Sequence, residues 1–283
     1  MELHVMTFNL RYADYDSASP HAWPLRRPAM AELLTREAPD LIGTQEGVHG
    51  QLRDVHTDLQ RSGKSYEWIG MGREGGSRGE FMAVFYDSGR LAPVEYEHFW
   101  IFDDPHRVGG KWPHSGSPRM VTWVRFRDLV GGGEFYALNT HLDNASHEAR
   151  LGGARLLVDQ MRRPAAPLVP FEPGLPRVLT GDFNVPADAG EGGVHDILLR
   201  EGEMTDSWTA APAERRSAEY RTWHDYKGPA PGPRIDWILT SPGVRTVSTK
   251  INTFAPGGRY PSDHFPVQAV LELEPSSRGA GEV

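Results

Sequence analysis

Short apolar runs in this chain of 283 residues end repeatedly on a carboxylate, an amide or a histidine, and segments with helical spacing lie between them. No other feature constrains the fold as strongly. An apolar run without polar alternation reads as a strand covered on both faces, which needs helices or a second sheet on each side. Polar residues at the ends of such runs must sit at a rim, where water or a ligand satisfies them. Strands are expected over 3–10, 40–45, 66–70, 80–86, 90–102, 120–127, 134–140, 177–181, 235–240, 244–254 and 265–274. Helices are expected over Trp23 to Glu37, Gly50 to Leu59 and His147 to Arg163. Pro24 suits the first turn of the first helix, and Pro39 stops it. No linker splits the pattern, so residues 1–274 read as a single α/β domain with helices covering stacked mixed sheets, and 275–283 as a disordered tail. The loop from Asp103 to Pro118 is longer than connections usually are, which points to service at a site or to disorder.

Composition narrows the function classes. Hydrophobic residues make up 39% and charged residues 24%, enough for a core without staples. The absence of cysteine excludes disulfides, thiolate zinc sites and a cysteine nucleophile. No run approaches the length that crosses a bilayer. A formal charge of −8 argues against a general binder of long nucleic acid, which needs a basic footprint. It does not exclude a small anionic substrate. The N-terminus carries neither a basic region nor an apolar core of the secretory type, so a cytoplasmic protein is expected, and nothing implies an obligate protein partner.

The strand ends carry the chemistry. Asn9 follows Val5-Met-Thr-Phe, and Glu46 follows Leu41-Ile-Gly-Thr-Gln. Asn139-Thr-His141-Leu-Asp143 and Gly181-Asp182-Phe-Asn184 close two further runs, Asp236 opens one, and Asp263-His264 precedes the last. Each has an ordinary structural reading: a solvated cap, a hydrogen-bonded histidine, an Asx-turn. Together they supply a carboxylate for a hard cation, orienting amides, two histidines and further aspartates. That set suits hydrolysis of a phosphate ester, with an ion to neutralise phosphate and acidify water, a base to finish activating that water, and imidazole to donate to oxygens gaining charge.

Thr-Phe-Asn9, Gln-Glu46, Asn-Thr-His141-Leu, Gly-Asp182-Phe-Asn184, Arg-Ile-Asp236 and Ser-Asp263-His264-Phe-Pro-Val stand in the order found in the endonuclease/exonuclease/phosphatase superfamily. The chain resembles that family from about residue 3 to residue 273, and most closely the bacterial relatives of its deadenylase and nocturnin-like branch. The resemblance implies a four-layer α/β sandwich, two mixed sheets face to face with helices outside, and a site at one rim. It implies Mg²⁺ or Mn²⁺ held by Glu46, with Asn9 and Asp263 close to the metal or its waters. Asp182 and Asn184 would orient water and phosphate. Asp182 is one candidate base, and His264, paired with Asp236, is the other, or else a phosphate contact. His141 would stabilise the pentacovalent phosphate or assist the leaving group. Gly47-Val48-His49 follows Glu46 where the abasic-site repair nucleases usually carry a lysine, a departure from that branch.

Arg119 reads either as a phosphate or sugar contact or as a surface arginine at a strand end. Arg11 and Trp112 are further candidates for the substrate, with Arg73, His114 and Trp223 weaker. The expected activity is a metal-dependent phosphoesterase, nuclease-like or acting on a small metabolite, with phosphodiester hydrolysis favoured. The alternatives are a phosphomonoesterase, a non-catalytic binding protein on the same scaffold, and a metal-free hydrolase using His264 and Asp236.

Overall fold

The computed structural model describes residues 1–14, 17–162, 171–172 and 174–274. The expected tail 275–283 and the last residue of the third expected helix, Arg163, lie outside them. Two six-stranded sheets dominate. The first contains β1 (Glu2–Asn9), β2 (Leu41–Gln45), β4 (Tyr66–Ile69), β6 (Val84–Asp87), β13 (Val244–Ile251) and β14 (Val267–Leu273), in the order β13-β14-β1-β2-β6-β4. The second contains β7 (Leu91–Trp100), β8 (Met120–Asp128), β9 (Glu134–His141), β10 (Arg177–Asp182), β11 (Thr205–Asp206) and β12 (Asp236–Thr240), in the order β11-β12-β10-β9-β8-β7. β1 and β2 run parallel, as do β9 and β10, and the remaining pairs are antiparallel. A ribbon of β3 (Gly47–Val48) and β5 (Glu80–Phe81) stands apart.

Strand periodicity sorts the side chains into layers. Leu3, Val5, Leu41 and Val267 of the first sheet meet Val124, Phe135, Ala137, Val178 and Ile238 of the second in the core between the sheets. The opposite face of the first sheet, with Met6, Phe8, Ile42 and Phe85, is covered by α1 (Trp23–Glu37) and α2 (His49–Leu59) through Met30, Leu33, Leu52 and Val55. The outer face of the second, with Trp123, Tyr136, Leu138 and Leu179, is covered by α3 (His147–Arg162) through Ala154, Leu157 and Met161. The result is the expected four-layer sandwich.

Differences from the sequence reading are local. The run 80–86 divides at Met82-Ala83, so that Glu80–Phe81 joins the small ribbon and Val84–Asp87 the first sheet. Thr44 N–H donates to the Ala83 carbonyl at 2.8 Å across this break. Short helical turns at 194–201 and 207–210 were not anticipated, being too brief for a 3.6-residue pattern to show.

Towards one end of the sandwich the inner faces change from apolar to polar. On β9 the inward series runs Phe135, Ala137, Asn139, His141, and on β10 it runs Val178, Thr180, Asp182. On β1 it runs Leu3, Val5, Thr7, Asn9, and on β2 it runs Leu41, Gly43, Gln45. Asn139, fully buried, ties the sheets together at the change. Its Nδ2 donates to the carbonyls of Thr44 (2.8 Å) and Ala83 (2.9 Å), while Oδ1 accepts from Gln45 Nε2 (2.7 Å) and Thr180 Oγ1 (3.2 Å). Gly43 makes room for this bolt, because a Cβ there would lie 2.0 Å from Thr180 Oγ1 and 2.8 Å from Asn139 Oδ1. Asn139→Ala leaves several buried groups unpaired and is expected to cost about 3 kcal/mol. Chemical denaturation checks this through a lower midpoint at unchanged slope. A loss under about 1 kcal/mol would show that the bolt contributes little.

Candidate active site

Register assembles the site. β9 and β10 pair in parallel so that Asp182 lies beside His141, and β10 and β12 pair antiparallel so that Asp182 lies beside Asp236. One rung of the second sheet therefore carries His141, Asp182 and Asp236 side by side, within about 5 Å per strand. In the first sheet Asn9 pairs with Gln45, and Glu46 follows. Asn9 joins the two sheets. Its Nδ2 donates to Glu46 Oε1 and to Asp182 Oδ2, both at 2.9 Å, while its Oδ1 accepts from the Arg11 backbone N–H at 2.9 Å. Asn9, expected close to a metal or its waters, thus turns its amide N–H groups towards the carboxylates and its oxygen away.

The loops around these ends are held tightly. Arg26, buried in α1, donates to the carbonyls of Leu10 (2.6 Å), Pro261 (3.0 Å) and Arg11. It thereby fixes the segment after β1 against the one before β14. Ser262 Oγ donates to the Asn9 carbonyl at 2.7 Å and accepts from His264 N–H at 3.3 Å. Glu46 and Asn184 hold left-handed backbone at φ 62° and 52°. This costs a non-glycine residue ~1 kcal/mol, and here it turns each side chain back over its strand end. The Asn184 backbone N–H donates to Asp182 Oδ1 at 2.9 Å, and the Tyr12 N–H to Glu46 Oε2 at 3.3 Å.

His264 Nδ1–H donates to Asp236 Oδ2 at 2.9 Å, which leaves Nε2 facing Asp182 Oδ2 at 3.8 Å. Burial opposes charge on His264, but Asp236, Asp182 and Asp263 outweigh it and hold the imidazole well above its ordinary pKa. Burial, with Asp236 adjacent, pushes Asp182 up to about 7. His141 is shifted the other way: burial and the cations Arg119 and Arg73 keep it well below its ordinary value and hence neutral. Asn184 Nδ2 lies 2.9 Å from His141 Nε2 and 3.0 Å from the Leu142 carbonyl. The amide donates to the carbonyl, so His141 Nε2 accepts, and the ring proton sits on Nδ1.

These groups surround a cavity of about 500 Å³ lined by Arg11, Tyr12, Glu46, Arg73, Glu80, Ser117, Arg119, His141, Asn144, Asp182, Asn184, Trp223, Ile235, Asp263 and His264. Asn9 and Asp236 stand behind this wall, bonded to residues that form it. Among the described residues, two groups of metal-ligating side chains bring a ligand atom from each member within 4.8 Å of the others: Glu46–His141–Asp182 and Asp182–Asp236–His264. In the second, histidine and aspartate are already bonded to each other. The first offers two carboxylates and one imidazole at the cavity and suits a hard divalent cation that keeps several waters. Asp263 lines the cavity but belongs to neither group, and its Oδ2 lies 3.8 Å from Arg11 Nη1.

Arg119 and Arg11 reach the cavity, whereas Trp112 does not. Its indole donates to Asp103 at 2.7 Å and rests on Gly152 of α3, so a packing role replaces the expected substrate contact. Most of the long loop 103–118 likewise stays out of the lining, with Ser117 alone among its residues there. The strand-end pattern passed over Glu80, Tyr12 and Asn144, because a glutamate before an apolar run looks like any strand start. Its place opposite Val48, two residues beyond Glu46, follows only from the β3–β5 pairing.

The model of the Endonuclease/Exonuclease/phosphatase family matches residues 6–264. A Bacteroides vulgatus endonuclease/exonuclease/phosphatase is 30% identical, with a TM-score of 0.85 over 97% of this chain and 100% of that one. A Bacteroides thetaiotaomicron mannosyl-6-phosphatase is 31% identical, with a TM-score of 0.84 over 96% and 100%. The human nocturnin catalytic domain, at 17% identity and a TM-score of 0.73 over 96% and 95%, shares the fold. No curated protein matches the sequence. The strand-end constellation, the layered sheets and these likenesses agree, and the chain belongs to the endonuclease/exonuclease/phosphatase family.

Proposed function

We propose that this protein is a divalent-metal-dependent phosphoesterase acting on a small phosphorylated metabolite. The observation that carries the reading is the convergence of Glu46, Asp182, His141 and His264 on one cavity from strand ends of both sheets. Glu46 and Asp182, steadied by Asn9, would hold Mg²⁺ or Mn²⁺. When bound, such an ion supplies neutralisation of phosphate charge and a more acidic water.

The chain's own groups do the rest. Asp182, its oxygens fixed by Asn9 and the Asn184 N–H, accepts the proton of the attacking water. His264, kept protonated by Asp236, donates through Nε2 to a phosphoryl oxygen as that oxygen gains charge. Arg119, 5% exposed, donates once at 3.0 Å to Asn144 and leaves Nε and Nη1 without hydrogen-bond partners, so its guanidinium suits the dianionic phosphoryl group. His141 Nε2, unprotonated and 3.5 Å from Asp182 Oδ2, takes on the proton that Asp182 removes from water and passes it to the leaving oxygen once the Asn184 amide turns aside.

The sequence reading favoured a phosphodiester. The cavity of about 500 Å³ is of metabolite size, and the likeness to a mannosyl-6-phosphatase supports a phosphomonoester, with a sugar phosphate first among substrates.

EDTA should abolish hydrolysis of p-nitrophenyl phosphate, and Mg²⁺ or Mn²⁺ should restore it; chelator-resistant turnover would contradict the metal reading. Glu46→Gln should raise the metal concentration needed for half-maximal activity by at least about tenfold. His264→Ala and Asp236→Asn should each lower kcat about a hundredfold or more with little change in KM. Steady-state kinetics at saturating metal tests this pair, and two variants with wild-type kcat would remove the dyad from the chemistry.

A further inference from the structure

The cavity contains a carboxylate that phosphate chemistry does not use. Glu80 is 9% exposed, lines the same space as Glu46, and bonds Arg73 Nη1 at 2.8 Å. Set among arginines that attract phosphate, a carboxylate works against anion affinity. Its ligand atoms also fall outside both convergent metal-ligating groups among the described residues. The fold nevertheless takes trouble to deliver it. The β3–β5 ribbon sets Glu80 opposite Val48, and the Arg73 backbone is clamped by its N–H to the Glu80 carbonyl (2.9 Å) and by Trp100 Nε1 to the Arg73 carbonyl (2.7 Å). Gly72 permits the close turn, since a Cβ there would lie 2.0 Å from the Arg78 carbonyl oxygen. Arg73 Nε is buried without a hydrogen-bond partner.

A fixed carboxylate–guanidinium pair presents acceptors and donors side by side, the complement of neighbouring hydroxyl groups. On the same cavity Trp223 leaves half its surface exposed (50%), although large aromatic side chains normally bury most of theirs. Its backbone bridges His264, which fixes it beside the phosphoryl-binding end. An indole face at that place suits the C–H face of a sugar ring. We propose that Arg73 and Glu80 read the hydroxyl groups of the non-reacting part of the substrate, that Trp223 is the shelf on which its ring rests, and that these three residues select sugar phosphates. This inference rests on the phosphoesterase reading above.

The test compares hexose 6-phosphates with p-nitrophenyl phosphate, which has no hydroxyl groups, and with nucleoside 5′-monophosphates, all at saturating Mg²⁺ or Mn²⁺. The ratio of kcat/KM for the best hexose phosphate to that for p-nitrophenyl phosphate should fall about tenfold or more in Glu80→Gln, mainly through KM, and likewise in Trp223→Ala, whose exposed site leaves folding intact. Unchanged ratios in both variants, or a nucleotide preferred over every hexose phosphate, would overturn the assignment while leaving the phosphoesterase reading in place. Absence of turnover of any ester with either metal would overturn both.

Discussion

The amide of Asn139 is the contact on which the site depends. Two sheets that meet through apolar side chains can slide, because dispersion and hydrophobic burial have little directional preference. Three hydrogen bonds between one buried amide and Thr44, Ala83 and Gln45 remove that freedom where it would matter. A few ångströms further along, Asn9 spans the same gap to Asp182. Sheet-to-sheet register and carboxylate geometry are therefore one problem with one solution.

The electrostatics follow from that placement. Glu46 and Asp182 are gathered at the rim with Asn9 as their shared donor, and burial with Asp236 adjacent resists ionisation of Asp182. Aspartate neighbours hold His264 charged, while burial and arginine neighbours hold His141 neutral. Two histidines in one cavity thus carry different protonation, set by which charges face them rather than by residue type.

The arginines divide along similar lines. Arg26 is spent on backbone carbonyls and shapes the loops, whereas Arg119 keeps nitrogens without hydrogen-bond partners at the cavity. Arg73 is matched to Glu80. An acidic chain thereby builds a local field suited to a small anion without the broad basic surface that a long polyanion requires.

Much of this was legible in the residues. Alternation and length marked β1, α1, β2 and α3 closely, since long amphipathic or doubly buried segments carry strong periodic signals. The motifs at strand ends named Asn9, Glu46, His141, Asp182, Asp236 and His264, because polar groups closing apolar runs need partners. The sequence could not show the break at Met82-Ala83, which depends on where a neighbouring strand donates, nor the remoteness of Trp112, which depends on how a long loop lies. It also could not show Glu80. One-dimensional patterns record which face a side chain takes within its own element. Which elements become neighbours, and so which charges, amides and rings share a cavity, is decided by packing and register between segments far apart in the chain.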